Sequence, residues 1–193
     1  VSVRDFDRPI QFYCLRCLQT TYPVQEIGSF ECSDWQLNKI YRMSLETARV
    51  CMQDTYVDCP GHEQNYWVGD ARITALINLL TFGAYDLNQH SIRLVGQSLS
   101  TEWARTYRLK DEMSSPVHNL PIAAFPNYPE GGLPMWSFLW ILQCWEHYLY
   151  GGSESDLQEN FGYVAETLRR CRLLTNERGL LDIPGAWNLI EWG

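Results

Sequence analysis

From Ser33 onwards the apolar residues recur every three or four positions, which is the spacing of one face of an α-helix. The first such segment reads SDWQLNKIYRMSLETARVCMQ. Ser33 is the expected N-cap and Asp34 lies in the first turn, so the segment predicts an amphipathic helix of about five turns. Its inward positions are Leu37, Tyr41, Ser44, Ala48 and Cys51.

Four further helices are predicted after this one. The stretch DARITALINLLTFG is almost entirely apolar, begins with Asp70 as a cap and closes at Gly83, so it should be buried on most sides. No strand pattern separates the helices, which favours a mainly α fold of antiparallel helix hairpins. The other helices are expected at about 86–103, from Pro134 to the glycines at 151–152, and at 154–175.

Two stretches depart from the helical pattern. Residues 10–24, IQFYCLRCLQTTYPV, are rich in aromatic and β-branched types and predict one or two short strands. Two strands are only marginally stable alone, so they should belong to a β-domain lying upstream. Residues 104–133 are rich in proline and glycine and predict a long irregular loop, which its hydrophobic residues should keep ordered.

Composition narrows the choice of partner. Acidic residues outnumber basic ones by 23 to 15, a formal charge of -8, which argues against a nucleic-acid or anionic-membrane surface. The most apolar stretch is interrupted by Gln143, Glu146 and His147 before it reaches the roughly 18 residues of a membrane span, so no span is expected. A neutral or cationic ligand suits the chain better.

Seven cysteines are scattered without the even framework of a small secreted domain, which favours reduced thiols and a cytoplasmic location. Cys14 and Cys17 form a C-x-x-C pair, but no second pair follows at zinc spacing. The opening VSVRDFDRPIQFYC is no signal peptide. A periplasmic or secreted location stays open, because the chain need not begin at the natural N-terminus.

The segment DCPGHEQNYWVGD, residues 58–70, places Asp58, Glu63 and Asp70 in a loop, since Pro-Gly is a turn signal. In a structural interpretation Asp70 caps the next helix, Asp58 binds turn amides and Glu63 is solvated. A metal site has less support, because HEQN lacks the second histidine of H-E-x-x-H. Carbohydrate chemistry, which needs paired carboxyl groups and aromatic walls, is the third interpretation. Spacing alone leaves the structural and carbohydrate interpretations open.

The longer segment FECSDWQLNKIYRMSLETARVCMQDTYVDCPGHEQNYWVGDARITAL resembles the start of the catalytic domain of the bacterial α-L-rhamnosidases of glycoside hydrolase family 78. The shared features occur in order: a Phe, Cys, Ser and Asp start, a helix, a loop of the Asp-Cys-Pro-x-Arg-Glu type and Trp-x-Gly-Asp. A later segment, WNLIEW, resembles the family's tryptophan-rich segment. Residues 58–71 are the most specific part.

This resemblance implies a six-hairpin (α/α)₆ barrel preceded by β-sandwich domains. Residues 1–27 would then be the end of a preceding β-domain and a linker, and residues 28–193 the N-terminal half of a truncated catalytic domain. The implied partners are a rhamnose-containing carbohydrate and the rest of the same catalytic domain. No cofactor and no metal are implied.

The resemblance also assigns residues. Glu63 would be the general acid, Asp58 and Asp70 would hold rhamnose hydroxyls, and Trp67 would line the sugar pocket. His62 stands where the family commonly has an arginine, which bears on how the loop carboxylates are braced. Trp187, Glu191 and Trp192 fall in the later substrate-facing segment.

The implied activity is the removal of terminal α-L-rhamnose by an inverting mechanism. The family's general base is a glutamate in the second half of the barrel, which this chain does not reach, so Glu63 alone cannot complete the reaction. Two alternatives stay open: a non-catalytic rhamnose-binding or structural module of the same fold, and a six-hairpin glycosidase for another sugar. Structural roles are expected for His90, His118 and His147.

Overall fold

The computed structural model of the chain describes residues 4, 7, 10–99, 120–125, 133–181 and 189–190. Within these residues there are five α-helices and one two-stranded antiparallel sheet. The helices are α1 (Trp35–Val50), α2 (Val68–Thr81), α3 (Tyr85–Gln97), α4 (Pro134–Tyr150) and α5 (Glu154–Leu173). Strand β1 (Tyr66–Trp67) pairs with β2 (Ala124–Phe125).

The two nearly all-apolar helices, α2 and α4, make the most extensive contact in the fold. Helices α3 and α5 pack against each other and against α4, while α1 packs against α2. Trp140 of α4 is completely buried, and its indole Nε1 donates a 3.0 Å hydrogen bond to the carbonyl of Ile92 on α3. The structure is thus built from helices that pack on one another, which confirms the predicted mainly α fold.

Helix α1 begins one residue later than predicted, because Asp34 rather than Ser33 is its N-cap. The Asp34 Oδ1 accepts a 2.8 Å hydrogen bond from the backbone amide of Gln36. Two predicted inward residues, Leu37 and Ser44, are exposed, and Ser44 lies on the open groove between α1 and α2. The buried positions of α1 lie towards its C-terminal end, at Leu45 and Ala48.

Helix α3 ends at Gln97, short of the predicted residue 103, and residues 100–103 lie outside the described part of the chain. The Ser98 hydroxyl donates to the carbonyl of Val95 at 2.6 Å and accepts from the amide of Ile122 at 3.0 Å, so it stops the helix by binding the returning chain. Helix α4 was predicted correctly. Helix α5 ends at Leu173, two residues early.

The strands predicted at residues 10–24 are absent, and most of this segment is exposed. A strand needs a neighbouring strand, and the described residues provide none beside it. Two later residues attach this part of the chain to the helical body. The backbone amide of Tyr22 donates a hydrogen bond to the carbonyl of Met52, and Glu26 forms ion pairs with Arg42 and Arg49.

All seven cysteines are free thiols.

The predicted loop at 104–133 is described only at residues 120–125 and at Leu133. Leu120, Ile122, Ala123 and Ala124 are buried, so this part of the loop is ordered as expected. Strand β2 was not predicted, because two residues are too short to show an alternating pattern. Among the described residues, no helix combines the length and apolarity needed to cross a membrane.

Candidate active site

The acidic loop is closed by two hydrogen bonds between its ends. The Asp58 amide donates to the carbonyl of Asn65, and the Asn65 amide donates to Asp58 Oδ1, both at 2.9 Å. One carboxylate oxygen of Asp58 therefore binds a turn amide, as the structural interpretation predicted. The residues between 58 and 65, Glu63 among them, form the turn that this closure holds together.

The tip of the loop is a tight turn that carries Glu63. Gln64 has a φ of 52°, in the left-handed region, and its side chain donates to the carbonyl of Pro60 at 2.5 Å. The Glu63 amide lies 3.3 Å from the Cys59 sulfur. His62 and Glu63 are both exposed, so the turn presents the proposed acid to solvent.

Glu63 and Trp67 are joined by a short hydrogen bond. The Trp67 indole Nε1 donates to Glu63 Oε2 at 2.6 Å. The backbone of Trp67 is fixed on both sides, because it pairs with Ala124 in the small sheet and occupies the N-cap position of α2. Glu63 is exposed, as the structural interpretation expected, but one of its carboxylate oxygens is also held by a well-anchored ring.

Asp70 is the third residue of α2 and not its cap, which corrects the structural interpretation of this residue. The helix begins two residues earlier, at Val68, and Trp67 at the N-cap position makes no side-chain capping bond. Position 67 is extended because it belongs to β1, so the helix starts as soon as that strand ends. An acidic residue in the first turn still interacts favourably with the helix dipole.

Asp70 lines a cavity of about 330 Å³ between the N-terminal parts of α2 and α4. This volume is near the lower end of the roughly 300–1,000 Å³ range of small-ligand sites. The walls combine an aromatic ring and aliphatic chains with one acidic and one basic side chain. They are Gly69, Asp70, Arg72, Ile73, Met135, Trp136, Leu139 and Ile190.

Sequence reasoning missed an ion pair at this cavity. Both Arg72 Nε and Nη2 donate to the Glu146 carboxylate, which links α2 to α4 in a bidentate geometry. The two side chains are 27% and 14% exposed. A signal was present in the sequence: Arg72 is the one basic residue of α2 and Glu146 the one acidic residue of α4, in helices that are otherwise mostly apolar.

The two aspartates that were expected to hold sugar hydroxyls line different surfaces. Asp70 faces the cavity between α2 and α4. Asp58 lines an open groove of about 400 Å³ between α1 and α2, together with apolar residues such as Ile40, Met43 and Ile77. Within the described residues, the structure therefore does not gather Asp58 and Asp70 around one cavity.

Trp187, Glu191 and Trp192 lie outside the described residues, so their predicted contact with substrate is not tested. Two neighbours in the same segment are described. Leu189 packs against the core and Ile190 lines the cavity with Asp70.

Two ionisable groups near the loop, Cys51 and Tyr66, are held neutral. Burial raises the pKa of the Cys51 thiol, and Cys59 and Asp58 raise it further. Burial also raises the pKa of Tyr66 well above its ordinary value. Neither group is activated as a nucleophile. In the described part of the chain, no three His, Cys, Asp or Glu side chains form a group that could hold a metal ion.

The described residues thus form a helical body with an acidic loop before one inner helix and an aromatic-walled cavity at the start of that helix. Residues 25–193 match the family described as bacterial alpha-L-rhamnosidase 6 hairpin glycosidase domain. Because the match covers most of the chain, this protein belongs to that family.

Individual relatives agree with this assignment. An alpha-L-rhamnosidase from Formosa agariphila is 26% identical over 171 residues, which cover 88% of this chain and 17% of the relative. The crystal structure of a family 78 rhamnosidase from Bacillus sp. GL1 is 35% identical, with a TM-score of 0.75, and the match covers 90% of this chain and 16% of that one. The chain thus spans about a sixth of each relative.

A more distant structure shares the fold. It is a rhamnosidase from Klebsiella oxytoca with rhamnose bound, 19% identical, with a TM-score of 0.65. The match covers 81% of this chain and 28% of that one.

Proposed function

We propose that this chain is the N-terminal half of the catalytic domain of an inverting α-L-rhamnosidase that removes terminal rhamnose from glycosides or polysaccharides. In this proposal residues 28–193 belong to the barrel, and residues 1–27 end a preceding β-domain and linker. Family membership and the two more similar relatives support the substrate class. The observation that carries the proposal is the Glu63 carboxylate held by Trp67 in the loop that leads into α2.

In the proposed reaction Glu63 gives its proton to the glycosidic oxygen as the bond between that oxygen and the anomeric carbon breaks. The bonding electrons leave with the oxygen. Water attacks the anomeric carbon from the opposite face and gives its proton to a carboxylate base. In this proposal the base lies in a later segment of the domain. Asp58 and Asp70 line different surfaces, so in this proposal they would accept hydrogen bonds from hydroxyls on different sides of the substrate. Trp67 would pack against the sugar ring.

The remaining assignments complete the substrate surface. His62 would donate a hydrogen bond to the substrate from its exposed position beside Glu63 in the loop. Trp187, Glu191 and Trp192 would contact the sugar from the final segment, whose neighbour Ile190 lines the cavity with Asp70. No cofactor takes part.

The proposed partner of this chain is the rest of its own catalytic domain. Trp35, Leu37, Ile40 and Met43 on α1 are between 49% and 67% exposed. A run of large apolar side chains on one helix marks an interaction surface. We propose that later helices of the barrel pack against this surface.

The test is the hydrolysis of aryl α-L-rhamnosides by the full-length protein, with aryl glucosides as the comparison. Glu63→Gln should lower kcat by about 10²–10⁴-fold for a poor leaving group. Glu177→Gln, the same change at an exposed residue of the turn after α5, is the matched control and should leave the rate unchanged. The first sugar released, observed by NMR, should be the β-anomer.

Three results would each contradict part of the proposal. An unchanged rate in Glu63→Gln with a poor leaving group would remove the assignment of the general acid. A faster reaction with the glucoside would point to a six-hairpin glycosidase for another sugar. Rhamnose binding without hydrolysis of any rhamnoside would point to a non-catalytic module.

A further inference from the structure

The contact between Glu63 and Trp67 gives the two oxygens of the Glu63 carboxylate different surroundings. The indole Nε1 of Trp67 lies 2.6 Å from Oε2. An indole N–H donates hydrogen bonds and accepts none. Oε2 must therefore act as an acceptor in this contact, whether Glu63 is charged or protonated.

The position of the indole is set by the backbone around it. The Trp67 amide donates to the carbonyl of Asn65 at 3.0 Å, and the next amide, of Val68, donates to the carbonyl of Ala123 at 2.9 Å. Trp67 also pairs with Ala124 across the small sheet. The Trp67 side chain is thus attached to a backbone that is hydrogen-bonded at two consecutive residues, where β1 ends and α2 begins.

The Glu63 side chain starts from the exposed tip of the loop. The Glu63 amide contacts the Cys59 sulfur at 3.3 Å, which restrains the backbone. A glutamate side chain still has three rotatable bonds beyond that backbone, and an exposed one samples several rotamers. The bond from Trp67 selects among them.

We infer that Trp67 is a positioning residue that binds Oε2 of Glu63 and so leaves Oε1 as the oxygen that carries the transferred proton. This inference rests on the proposed function of Glu63. It adds to the role of a sugar-pocket wall, which a ring without an N–H would fill equally well. A proton donor misplaced by about 1 Å can cost on the order of 10²-fold in rate, so a fixed carboxylate matters for the chemical step.

The dependence of rate on the leaving group separates these two roles. A good leaving group, such as dinitrophenolate, departs without protonation, whereas an alkoxide depends on the acid. In the full-length protein we expect Trp67→Phe to lower kcat for methyl α-L-rhamnoside by about 10–100-fold and to leave kcat for the dinitrophenyl rhamnoside within about 3-fold. KM should change little, because phenylalanine keeps an apolar ring. Trp145→Phe, at an exposed tryptophan of α4, is the matched control and should behave as the native protein.

An equal loss of kcat with both substrates would overturn the inference and leave Trp67 as a wall only. Glu63→Gln, measured on the same pair of substrates, keeps this outcome distinct from failure of the proposed function. If Glu63→Gln loses rate only with the methyl rhamnoside, the acid assignment stands whatever Trp67→Phe does. If Glu63→Gln loses rate equally with both, the proposed function fails.

A spectroscopic measurement tests the contact even if Trp67→Phe does not fold. The full-length protein is labelled with 5-fluorotryptophan and its ¹⁹F spectrum is compared with that of Glu63→Gln. We expect one tryptophan resonance to move in Glu63→Gln and to stay in place in Glu177→Gln. A spectrum that is identical in all three proteins would overturn the inference.

Discussion

Gly69 of α2 lies directly against the indole of Trp136 on α4. A Cβ atom at residue 69 would be 2.5 Å from Cε2 of that ring, far inside van der Waals contact. Both residues also line the cavity that contains Asp70. The close approach of the two helices therefore depends on a glycine, and it sets the shape of one cavity wall.

Gly69→Ala should destabilise the protein by about 1–3 kcal/mol, because the added methyl group forces the Trp136 ring or the helix to move. Helix propensity alone would make alanine more stabilising than glycine by about 1 kcal/mol. A loss of stability in Gly69→Ala would therefore come from packing and not from helix propensity. The measurement is the thermal unfolding midpoint.

Gly162→Ala is the matched control for this change. Gly162 lies inside α5, and a Cβ there would meet no atom within 4 Å. We expect this variant to be more stable by about 0.5–1 kcal/mol, from helix propensity alone. If Gly69→Ala were stabilised equally, the contact with Trp136 would not be tight.

The pair of Arg72 and Glu146 should matter more to stability than an exposed ion pair. Glu146→Gln leaves a charged guanidinium without its partner at a site that is only 27% exposed. We expect a loss of about 1–3 kcal/mol, less than the roughly 3–5 kcal/mol of a fully buried pair because water still reaches these groups. Chemical denaturation gives the value.

Two further variants test whether the loss in Glu146→Gln comes from leaving a partly buried charge unpaired. Glu159→Gln removes the partner of Arg93 in a pair that is 41% and 43% exposed, and it should cost at most about 1 kcal/mol. The double variant Arg72→Met, Glu146→Leu should be more stable than Glu146→Gln, because no charge is left unpaired. A double variant that is no more stable than Glu146→Gln would contradict the view that the loss comes from an unpaired charge.

The helices could be predicted from the sequence because their spacing of apolar residues is strong, and the predicted α4 matches the structure from Pro134 to its closing glycines. The ends that were wrong depend on tertiary contacts. Ser98 stops α3 by binding the amide of Ile122, which is 24 residues away in the chain. No local pattern encodes such a partner.

In the candidate site too, the residues could be predicted from the sequence, whereas their contacts depend on tertiary structure. The sequence singled out Glu63 and Trp67 as separate residues, but their hydrogen bond depends on the turn at Gln64, whose φ of 52° is unusual for a residue with a side chain. The placement of Asp58 and Asp70 on different surfaces likewise follows from how α2 packs against α1 and α4.

We expect Asn78, a polar residue of the core, to stabilise the fold through its side-chain hydrogen bonds. It is completely buried, and its amide donates to the Tyr56 hydroxyl at 2.6 Å and to the carbonyl of Ala84 at 3.0 Å. Its Oδ1 accepts from the amide of Ala84. Asn78→Asp loses both donors at constant size, so we expect a loss of at least about 2 kcal/mol. An unchanged unfolding midpoint at pH 7 would contradict this role.

His147 should make the protein less stable in mild acid. It is almost completely buried, and its Nε2 lies 3.4 Å from Asp156 Oδ2. Burial lowers the pKa of His147, although the hydrogen bond and charge of Asp156 oppose this effect. The pKa of the histidine is about 6.5 in an unfolded chain, so below that pH the unfolded state binds more protons and stability falls.

We therefore expect the free energy of unfolding to fall as the pH is lowered from 7 to 5, and to fall less in His147→Gln. The pKa of Asp156 is also lowered, since two hydrogen bonds from Ser153 and the contact with His147 outweigh the effect of burial. Its contribution is lost only below about pH 4, where the unfolded carboxyl takes up a proton, so it does not enter this window. Denaturation at several pH values makes the comparison, with His90→Gln on α3 as the matched substitution. Equal slopes for the native protein and His147→Gln would show that His147 is not the group that couples folding to protons.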